Sequence, residues 1–280
     1  MLPSMGIRKC LSFSFSILER KTKTLSNMYT PRQNEILEVA KLKGQVSVDS
    51  LVQQFGVTPQ SIRKDLGILS EGRLLERVHG GARLASMVDN VSYEARRVIA
   101  HKEKQAIGEA VANIIPSNAS LFINIGTTNE AIARALVHHK RLMIITNNIN
   151  IASILSPLRE NQVFITAGKV RSSDGGIVGE STIDFINQFQ VDYAIIGASA
   201  VNLNGDLLDF DIREVKVSQA IVSNAKHVIL ASDSTKYERT APVRIGHISK
   251  IDSFVTDRVR NPEFRKLLDS FEVNTTETSI

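Results

Sequence analysis

The chain has 280 residues, of which 42% are hydrophobic and 22% charged, a composition typical of a folded protein of two domains. No apolar run approaches the ~18 residues that a membrane-spanning helix needs, and the single cysteine, Cys10, excludes an intramolecular disulfide. We therefore expect a cytoplasmic protein without a membrane partner. The net charge of +5 arises within residues 1–90, which hold 13 basic and 8 acidic side chains, whereas the remainder holds 21 of each.

The first 27 residues lack the regularity of the rest. They hold five basic residues against Glu19, so residues 28–90 have a net charge of only +1 and overall charge does not by itself indicate DNA binding. Their short apolar stretch is interrupted by serine and has no small-residue cleavage site. We predict that residues 1–27 are a disordered extension or an over-long start assignment, with a secretory signal as the weaker alternative.

Residues 28–85 have the order of elements of a winged helix-turn-helix. Apolar spacing predicts a first helix over 31–43 and a second over 49–55. Thr58 as N-cap and Pro59 at the first helical position begin a third helix, which Gly72 ends. Two short arms around a pair of glycines within 74–84 then predict a hairpin, the wing.

The third predicted helix has a single apolar stripe, formed by Ile62, Leu66 and Leu69. In a winged helix the opposite face lies in the DNA major groove, and the glycines of the wing let the backbone approach a sugar-phosphate strand. The alternative is a helical subdomain with a merely solvated charged face. The residues that we predict to contact DNA are Thr58, Gln60, Ser61, Arg63, Lys64, Arg77, His79, Gly80 and Gly81.

Strand and helix patterns alternate over residues 103–260. A linker and connecting helix over 86–102 precede them, and we expect this helix to continue without a break to Ile115. The six apolar segments predict an α/β domain of Rossmann type with a mainly parallel sheet, and residues 261–280 a C-terminal helix and a threonine-rich tail. The predicted strands are 120–126, 141–148, 161–168, 191–199, 227–234 and 250–257.

Small and hydroxyl-bearing residues follow five of these strands, at the edge where α/β sheets bind ligands. Gly126, Thr127 and Thr128 end one strand and open a helix, so backbone N–H groups and two hydroxyls form an anion site there. Nearby basic residues would supply compensating charge. We predict a small phosphorylated ligand, with threonine as an ordinary helix cap as the alternative. The basic residues are Arg171, Lys216 and Lys236.

Asp209, Asp211 and Glu214 are carboxylates grouped near this predicted site. They would serve either as the general base of an aldose–ketose isomerisation or as acceptors for ligand hydroxyls, and the residues alone leave both open. The six histidines are scattered, and no Cys/His cluster has the spacing of metal ligands. We therefore predict neither a metal nor a cofactor.

The run VSVDSLVQQFGVTPQSIRKDLGILSEGRLLERVHGGARL resembles the N-terminal winged helix of the DeoR family of bacterial sugar-metabolism repressors. FINIGTT, ITNN, DGGIVGESTIDFINQF, DFDIREVKVSQAI and DSTKY resemble the family's sensor domain, which is similar to sugar-phosphate isomerases and CoA transferases but binds its ligand without converting it. The likeness covers about residues 28–258. The third of these runs and LLDFDIREVK are most similar to members that control glycerol 3-phosphate metabolism, which implies that metabolite as inducer.

The resemblance implies a repressor, a homodimer or homotetramer, that binds double-stranded operator DNA and is released by glycerol 3-phosphate or a sugar phosphate. The alternative is a sugar-phosphate isomerase-like enzyme with an appended helical domain. Asn124 stands where the family usually has aspartate, Lys169 where a second glycine follows, and Lys64 where arginine is commoner. The family's pattern places the effector on Gly126, Thr127, Thr128, Asn147, Arg171, Asp211, Glu214, Lys216 and Lys236.

Overall fold

The computed structural model describes residues 29–43, 45–72, 74–84, 93–237 and 239–278. The chain divides into two compact units, Met1–Ser86 and Met87–Ile280. The prediction for residues 1–27 lies outside the described residues. Over the described ranges, none of the helices combines the length and the apolar character that crossing a membrane requires.

The first unit contains helices α1 (Pro31–Lys43), α2 (Val48–Phe55) and α3 (Pro59–Glu71), as the helical spacing predicts. Strand β1 (Gln45–Ser47) pairs antiparallel with β3 (Gly81–Leu84), which also pairs with β2 (Leu75–Val78). The sequence did not predict β1, because three residues carry no periodicity and the strand depends on the hairpin as its partner. The core of the unit is formed by Ile36, Leu37, Leu51, Ile62, Leu66, Leu69 and Leu75, among others.

The second unit is built on a parallel sheet with helices on both faces. Its helices are α4 (Tyr93–Val98), α5 (His101–Ile114), α6 (Thr127–Ala135), α7 (Ile149–Leu155), α8 (Glu180–Ile186), α9 (Ile212–Ser223) and α10 (Pro262–Ser270). Its strands are β4 (Ser120–Ile123), β5 (Met143–Thr146), β6 (Gln162–Ile165), β7 (Lys169–Val170), β8 (Ile177–Val178), β9 (Val191–Ile196), β10 (Ala200–Val201), β11 (Asp206–Asp209), β12 (Ala225–Ala231), β13 (Val243–His247), β14 (Ser253–Thr256) and β15 (Asn274–Glu277).

The main sheet has the strand order β15-β14-β12-β9-β4-β5-β6, and every neighbouring pair is parallel. This is the doubly wound order in which the chain reverses direction across the sheet between β4 and β9. Ligands of such sheets bind in the crevice beyond the carboxyl ends of the strands at that switch point. The predicted fold class, a winged helix joined to a Rossmann-like α/β domain, is confirmed.

Residues on each strand alternate between two cores. Leu121 and Ile123 of β4 pack with Ile107 and Ile132 beneath α5, α6 and α7. Phe122 between them packs on the opposite face, with residues of α8, α9 and α10. Because both faces are buried, the strands read as continuous apolar runs, which is what made them visible in the sequence.

The prediction of one unbroken helix running to Ile115 is wrong, because the chain turns between α4 and α5. Ala100 has a φ of 53°, a left-handed conformation that an α-helix does not contain. The ammonium of Lys104 donates to the carbonyls of Arg96 and Ile99 and so satisfies backbone acceptors at the end of α4. Apolar spacing does not reveal such a break, since α5 continues the same pattern.

The threonine-rich tail also differs from its prediction. Helix α10 is present, but the residues after it form β15, which extends the sheet in parallel with β14. Threonine is β-branched and favours a pleated strand, although no strand is predicted for this tail from the sequence. A small antiparallel sheet of β10, β11 and β13 was not predicted either; it matters because β11 ends at Asp209, beside the predicted ligand site.

Candidate functional site

The amino end of α3 is fixed by its own cap. The Thr58 hydroxyl accepts a hydrogen bond from the backbone N–H of Ser61 at 3.3 Å, and the two hydroxyl oxygens lie 3.0 Å apart. Gln60, Arg63 and Lys64 are exposed on the next turn, whereas the apolar stripe on the other side of α3 is fully buried. The sequence-predicted residues of α3 therefore share one solvent-facing surface.

The hairpin brings the predicted wing residues toward this helix. Nη2 of Arg77 donates to the carbonyl oxygen of Arg63 at 3.1 Å, so a side chain of the wing and the backbone of α3 form one surface. His79 and Gly80 are exposed at the turn. Gly81 is buried instead, and a Cβ there would overlap the carbonyl oxygen of Val46 in β1, which gives this glycine a packing reason independent of DNA.

The sequence analysis missed the residue that holds α3 in place. Asp65 is buried, and its carboxylate accepts from Nε of Arg32 at 2.7 Å and from the Gln33 amide at 2.8 Å, both on α1. An acidic side chain on the stripe that contains Ile62 and Leu66 was the available signal, because a buried carboxylate needs partners.

In the second unit, the residues of the predicted anion site lie at the start of α6. Gly126 has φ 142° and ψ 148°, a conformation accessible only to glycine, and it caps the helix without a side-chain hydrogen bond. The first N–H groups of a helix have no partner within it and carry the positive end of its dipole. Thr128 is buried there, and the Thr127 hydroxyl, half-buried, donates to the carbonyl of Arg96 at 3.3 Å.

Arg171, in the loop after β7, is the centre of an ion-pair network. Its Nη1 lies 2.6 Å from Oε2 of Glu214 and 3.3 Å from Oδ2 of Asp211. Its Nε and Nη2 contact the two oxygens of Asp174 at 3.1 and 2.7 Å, a bidentate pair. Because Asp211 caps α9 and Glu214 lies on its first turn, the network connects that helix to the loop.

Burial and neighbouring charges change the protonation of these groups. Burial works to lower the pKa of Arg171, but the carboxylates of Glu214 and Asp174 outweigh it and the pKa lies above its usual range. Burial, with the charge of Asp209, raises the pKa of Glu214 to about 7 despite the ion pair with Arg171. Hydrogen bonds from Arg213 lower the pKa of Asp211 to about 2. The site thus holds a carboxylate with a lowered pKa, Asp211, beside one with a raised pKa, Glu214.

A second group of charges follows β12. Burial is the main cause that lowers the pKa of Lys236 to about 7; Asp233 opposes it, while Arg239, Lys104 and Arg96 act with it. Asp233 keeps a lowered pKa in spite of its burial, because Lys104 and Lys236 stabilise its charge. Asp233 therefore interacts with three basic residues, Lys104, Lys236 and Arg239, a concentration of positive charge suited to an anion.

Several polar atoms at this edge of the sheet are buried without a hydrogen-bond partner among the described residues. Buried polar groups are nearly always paired in native proteins, so unsatisfied ones grouped at one edge indicate a place where a ligand or water binds. The atoms are Oδ1 of Asn129, Oγ of Ser232, Oδ2 of Asp233 and Nε of Arg96.

The structure assigns different roles to two predicted effector residues. The Asn147 amide is used within the fold, since its oxygen accepts from the N–H of Ile125 at 3.2 Å and its nitrogen donates to the carbonyl of Ile177 at 3.3 Å. Lys216 is exposed on α9, two residues and hence about 200° around the helix from Glu214. Lys216 therefore points to a different side of α9 from Glu214, and its place in the ligand site stays a prediction.

The departures from the family's pattern also have a structural account. Asn124 is buried, and its amide donates to Oγ of Ser218 on α9 at 2.7 Å. Lys169 is exposed at the start of the hairpin of β7 and β8. Neither side chain contacts Arg171 or the start of α6 in the hydrogen bonds and ion pairs of the described residues.

An exposed cationic face on a winged helix defines a DNA-binding unit, and a polar crevice at the switch point of a parallel sheet defines a ligand-binding unit. Together they define a ligand-responsive transcription regulator. The DeoR-like helix-turn-helix domain matches residues 32–88, and the DeoR C-terminal sensor domain matches residues 99–258. The chain belongs to the DeoR family and is a DNA-binding transcriptional repressor.

Two relatives that match most of the chain are repressors. The glycerol-3-phosphate regulon repressor of Escherichia coli is 45% identical over 228 residues, which cover 81% of this chain and 90% of that protein. The HTH-type transcriptional repressor CsqR of the same species is 36% identical over 243 residues, covering 87% and 93%. Ribose 5-phosphate isomerase A of Neisseria gonorrhoeae is 16% identical with a TM-score of 0.36, covering 48% and 52%, and no functional argument rests on so remote a likeness.

Proposed function

We propose that this repressor controls a glycerol or sugar catabolic regulon and leaves its operator when glycerol 3-phosphate binds the second unit. One observation carries the proposal. The predicted anion site at the start of α6 and the carboxylates around Arg171 lie at the same edge of the sheet. The first suits a phosphate, and the second suits the hydroxyls of a small polyol. The 45% identity to a glycerol-3-phosphate regulon repressor supports this choice of metabolite.

In the proposed complex, the phosphate lies against the N–H groups of Thr127 and Thr128, and Lys236 offsets its charge. Asp211 and Glu214 accept hydrogen bonds from the ligand hydroxyls. The pKa of Glu214 at about 7 lets this group adjust its protonation when a dianionic ligand enters. Asn147 and Arg171 hold the walls of the pocket in position.

The exposed face of α3 provides the other half of the function. Arg63 suits bidentate contact with a guanine, and Lys64 suits a phosphate. Thr58, Ser61 and the wing support contacts to the DNA backbone. We propose that a homodimer or homotetramer presents these surfaces to two operator half-sites, an assembly that light scattering of the purified protein measures directly.

A panel of compounds tests the choice of effector. Glycerol 3-phosphate is expected to raise the melting temperature of the full chain, since stabilisation grows as RT ln(1 + [L]/Kd). Glycerol, which has the hydroxyls of the ligand, and inorganic phosphate, which has its anionic group, are the matched controls. We expect little stabilisation from either compound alone. Equal melting temperatures with and without every phosphorylated three- to six-carbon compound would contradict the proposal.

We also propose that the site binds its ligand without converting it. A pKa of about 7 is what a general base needs, and this is the observation that favours an isomerase. However, Arg171 lies 2.6 Å from the Glu214 carboxylate and stabilises its charged form, which makes this group a weaker base while its oxygens still accept hydrogen bonds from ligand hydroxyls. Incubation with ribose 5-phosphate is expected to give turnover far below ~1 s⁻¹, the low end for ordinary enzymes.

A further inference from the structure

Helix α4 is the first described element of the second unit and follows the winged helix in the chain. Its first residue, Tyr93, donates to the Glu130 carboxylate on α6 at 2.7 Å and accepts from the amide of Asn150 on α7 at 2.8 Å. The same amide lies 3.0 Å from the Glu130 carboxylate. Tyr93 therefore attaches α4 to the two helices that begin at the ligand-binding edge of the sheet.

Arg96 projects from α4 toward the network around Arg171. Its Nη2 lies 3.4 Å from Oδ2 of Asp174, an oxygen that Nη2 of Arg171 approaches at 2.7 Å. Asp174 already has a bidentate pair with Arg171, so Arg96 adds a third and longer contact to a carboxylate that has a better partner.

The guanidinium of Arg96 is incompletely satisfied. Its side chain is only 19% exposed, and its Nε is buried with no hydrogen-bond partner among the described residues. Leaving a buried donor unpaired is costly, and more so when the donor is charged. An arginine with a purely structural role is expected to find hydrogen-bond acceptors for the N–H groups of its planar guanidinium. Arg96 lacks such an acceptor for its Nε.

The position of Arg96 relates it directly to the anion site. Its carbonyl accepts from the hydroxyl of Thr127, the first residue of α6, and from the ammonium of Lys104. Its charge also acts on Lys236 across the pocket, where it adds to the effect of burial on that lysine's pKa. Arg96 thus lies among the groups that surround the proposed phosphate.

We propose that Arg96 is an effector-binding residue that pairs with the phosphate of the metabolite in exchange for its weak contact with Asp174. This inference rests on the proposed function. A phosphate offers Nε and Nη2 two oxygens at once, which satisfies the unpaired donor. Because Arg96 is part of α4, occupancy of the pocket then changes the contacts of the helix that follows the winged helix in the chain. A ligand shifts a conformational equilibrium only through such differential contacts.

The test compares the full-length wild type with Arg96→Ala and with Arg97→Ala as the matched control. Arg97 is the same residue type on the same helix, but it faces Glu94 at 3.7 Å and the Tyr93 ring at 5.7 Å. Calorimetric titration with glycerol 3-phosphate measures ligand affinity, and fluorescence anisotropy with a labelled operator, selected in vitro from genomic DNA, measures DNA affinity.

Arg96→Ala is expected to weaken glycerol 3-phosphate binding by at least ~10-fold, as loss of a charge-assisted contact implies, while operator affinity without metabolite stays within about 3-fold. Arg97→Ala is expected to change neither quantity by more than about 2-fold. If Arg96→Ala does not fold, Arg96→Lys replaces it in the test. Lysine keeps the positive charge but lacks the planar guanidinium that binds two oxygens at once, so an intermediate loss of ligand affinity is expected.

The outcomes separate this inference from the proposed function. A wild type that binds no phosphorylated metabolite contradicts both. A wild type that binds glycerol 3-phosphate beside an Arg96→Ala protein of equal ligand affinity overturns the role of Arg96 and leaves the proposed function intact. Equal loss of ligand affinity in Arg96→Ala and Arg97→Ala would also overturn it, because the effect would then belong to α4 as a whole.

Discussion

The two units use their cations in opposite ways. Arg63 and Lys64 of α3 are exposed, so they remain hydrated until DNA arrives and their contribution depends on salt. Arg171, whose side chain is only 14% exposed, is already paired with three carboxylates. Loss of an exposed cation removes one contact, whereas loss of a buried one leaves its partners unpaired. Removal of an arginine is therefore expected to lower DNA affinity in the first unit and the free energy of unfolding in the second.

The largest effect is expected for Arg171→Ala. It leaves Asp174, Asp211 and Glu214 without their common partner, and breaking a buried pair typically costs ~3 kcal/mol or more of the free energy of unfolding. Urea denaturation of the full chain measures this loss. The control is Arg213→Ala, which also removes a partner of Asp211 but from an exposed side chain, and no measurable change is expected there. Similar stabilities for the two variants would contradict the contrast.

A somewhat smaller effect is expected on DNA binding. Arg63→Ala is expected to weaken binding to the selected operator by about 1–3 kcal/mol and to relax its sequence preference, while Lys64→Ala weakens binding to all duplexes and reduces the salt slope by about one. Anisotropy titrations at several salt concentrations separate the two patterns.

Neither substitution in α3 removes a buried contact, so the free energy of unfolding is expected to stay unchanged. Lys266→Ala in the second unit is the control for loss of one exposed positive charge. An equal loss of DNA affinity in Lys266→Ala would show that net charge, and not the face of α3, determines binding.

The pH dependence of stability offers a third test. The pKa of Glu214 is about 7 in the folded chain against 4.5 as its ordinary value, so the folded state binds more protons between these pH values. Stability is therefore expected to fall as pH rises from about 4.5 to 7, because deprotonation of a group with a raised pKa costs more in the folded state than in the unfolded state. Glu214→Gln should flatten this part of the profile, and an unchanged slope in that variant would contradict the assigned pKa.

The smallest effect is expected for Lys216→Ala. Because Lys216 lies on the exposed side of α9, glycerol 3-phosphate affinity is expected to change by less than about 2-fold in calorimetric titration. Lys236→Met, beside Asp233, is expected to weaken it by about 10-fold or more. A loss in Lys216→Ala as large as in Lys236→Met would contradict this expectation and place Lys216 in the ligand site.

Local signals explain what the sequence could predict. The start of α3 follows from Thr58 and Pro59, and the buried strands follow from continuous apolar runs. The helix that begins after Gly126 likewise follows from adjacent residues, a glycine and two threonines, while the anion site there stays a prediction. In each case the chemistry is complete within a few residues, so the pattern alone indicates it.

Contacts between distant residues explain what it could not predict. Arg96 and Asp174 are 78 residues apart, and only the folded sheet brings them to one edge. The turn at Ala100 depends on the Lys104 ammonium bonding to the end of α4, which no periodicity expresses. Lys216 was predicted both as a nearby basic residue and through the family's pattern, and its spacing from Glu214 places the two side chains on different sides of α9.

The central claim is that a phosphorylated metabolite bound in the second unit lowers the affinity of the first unit for DNA. Fluorescence anisotropy of the full-length protein on its selected operator, with and without saturating glycerol 3-phosphate, tests it most directly. We expect a 5- to 150-fold loss of operator affinity, on the order of the usual coupling of 1–3 kcal/mol, and no loss with glycerol. Operator affinity that is identical with and without the bound metabolite would contradict the account.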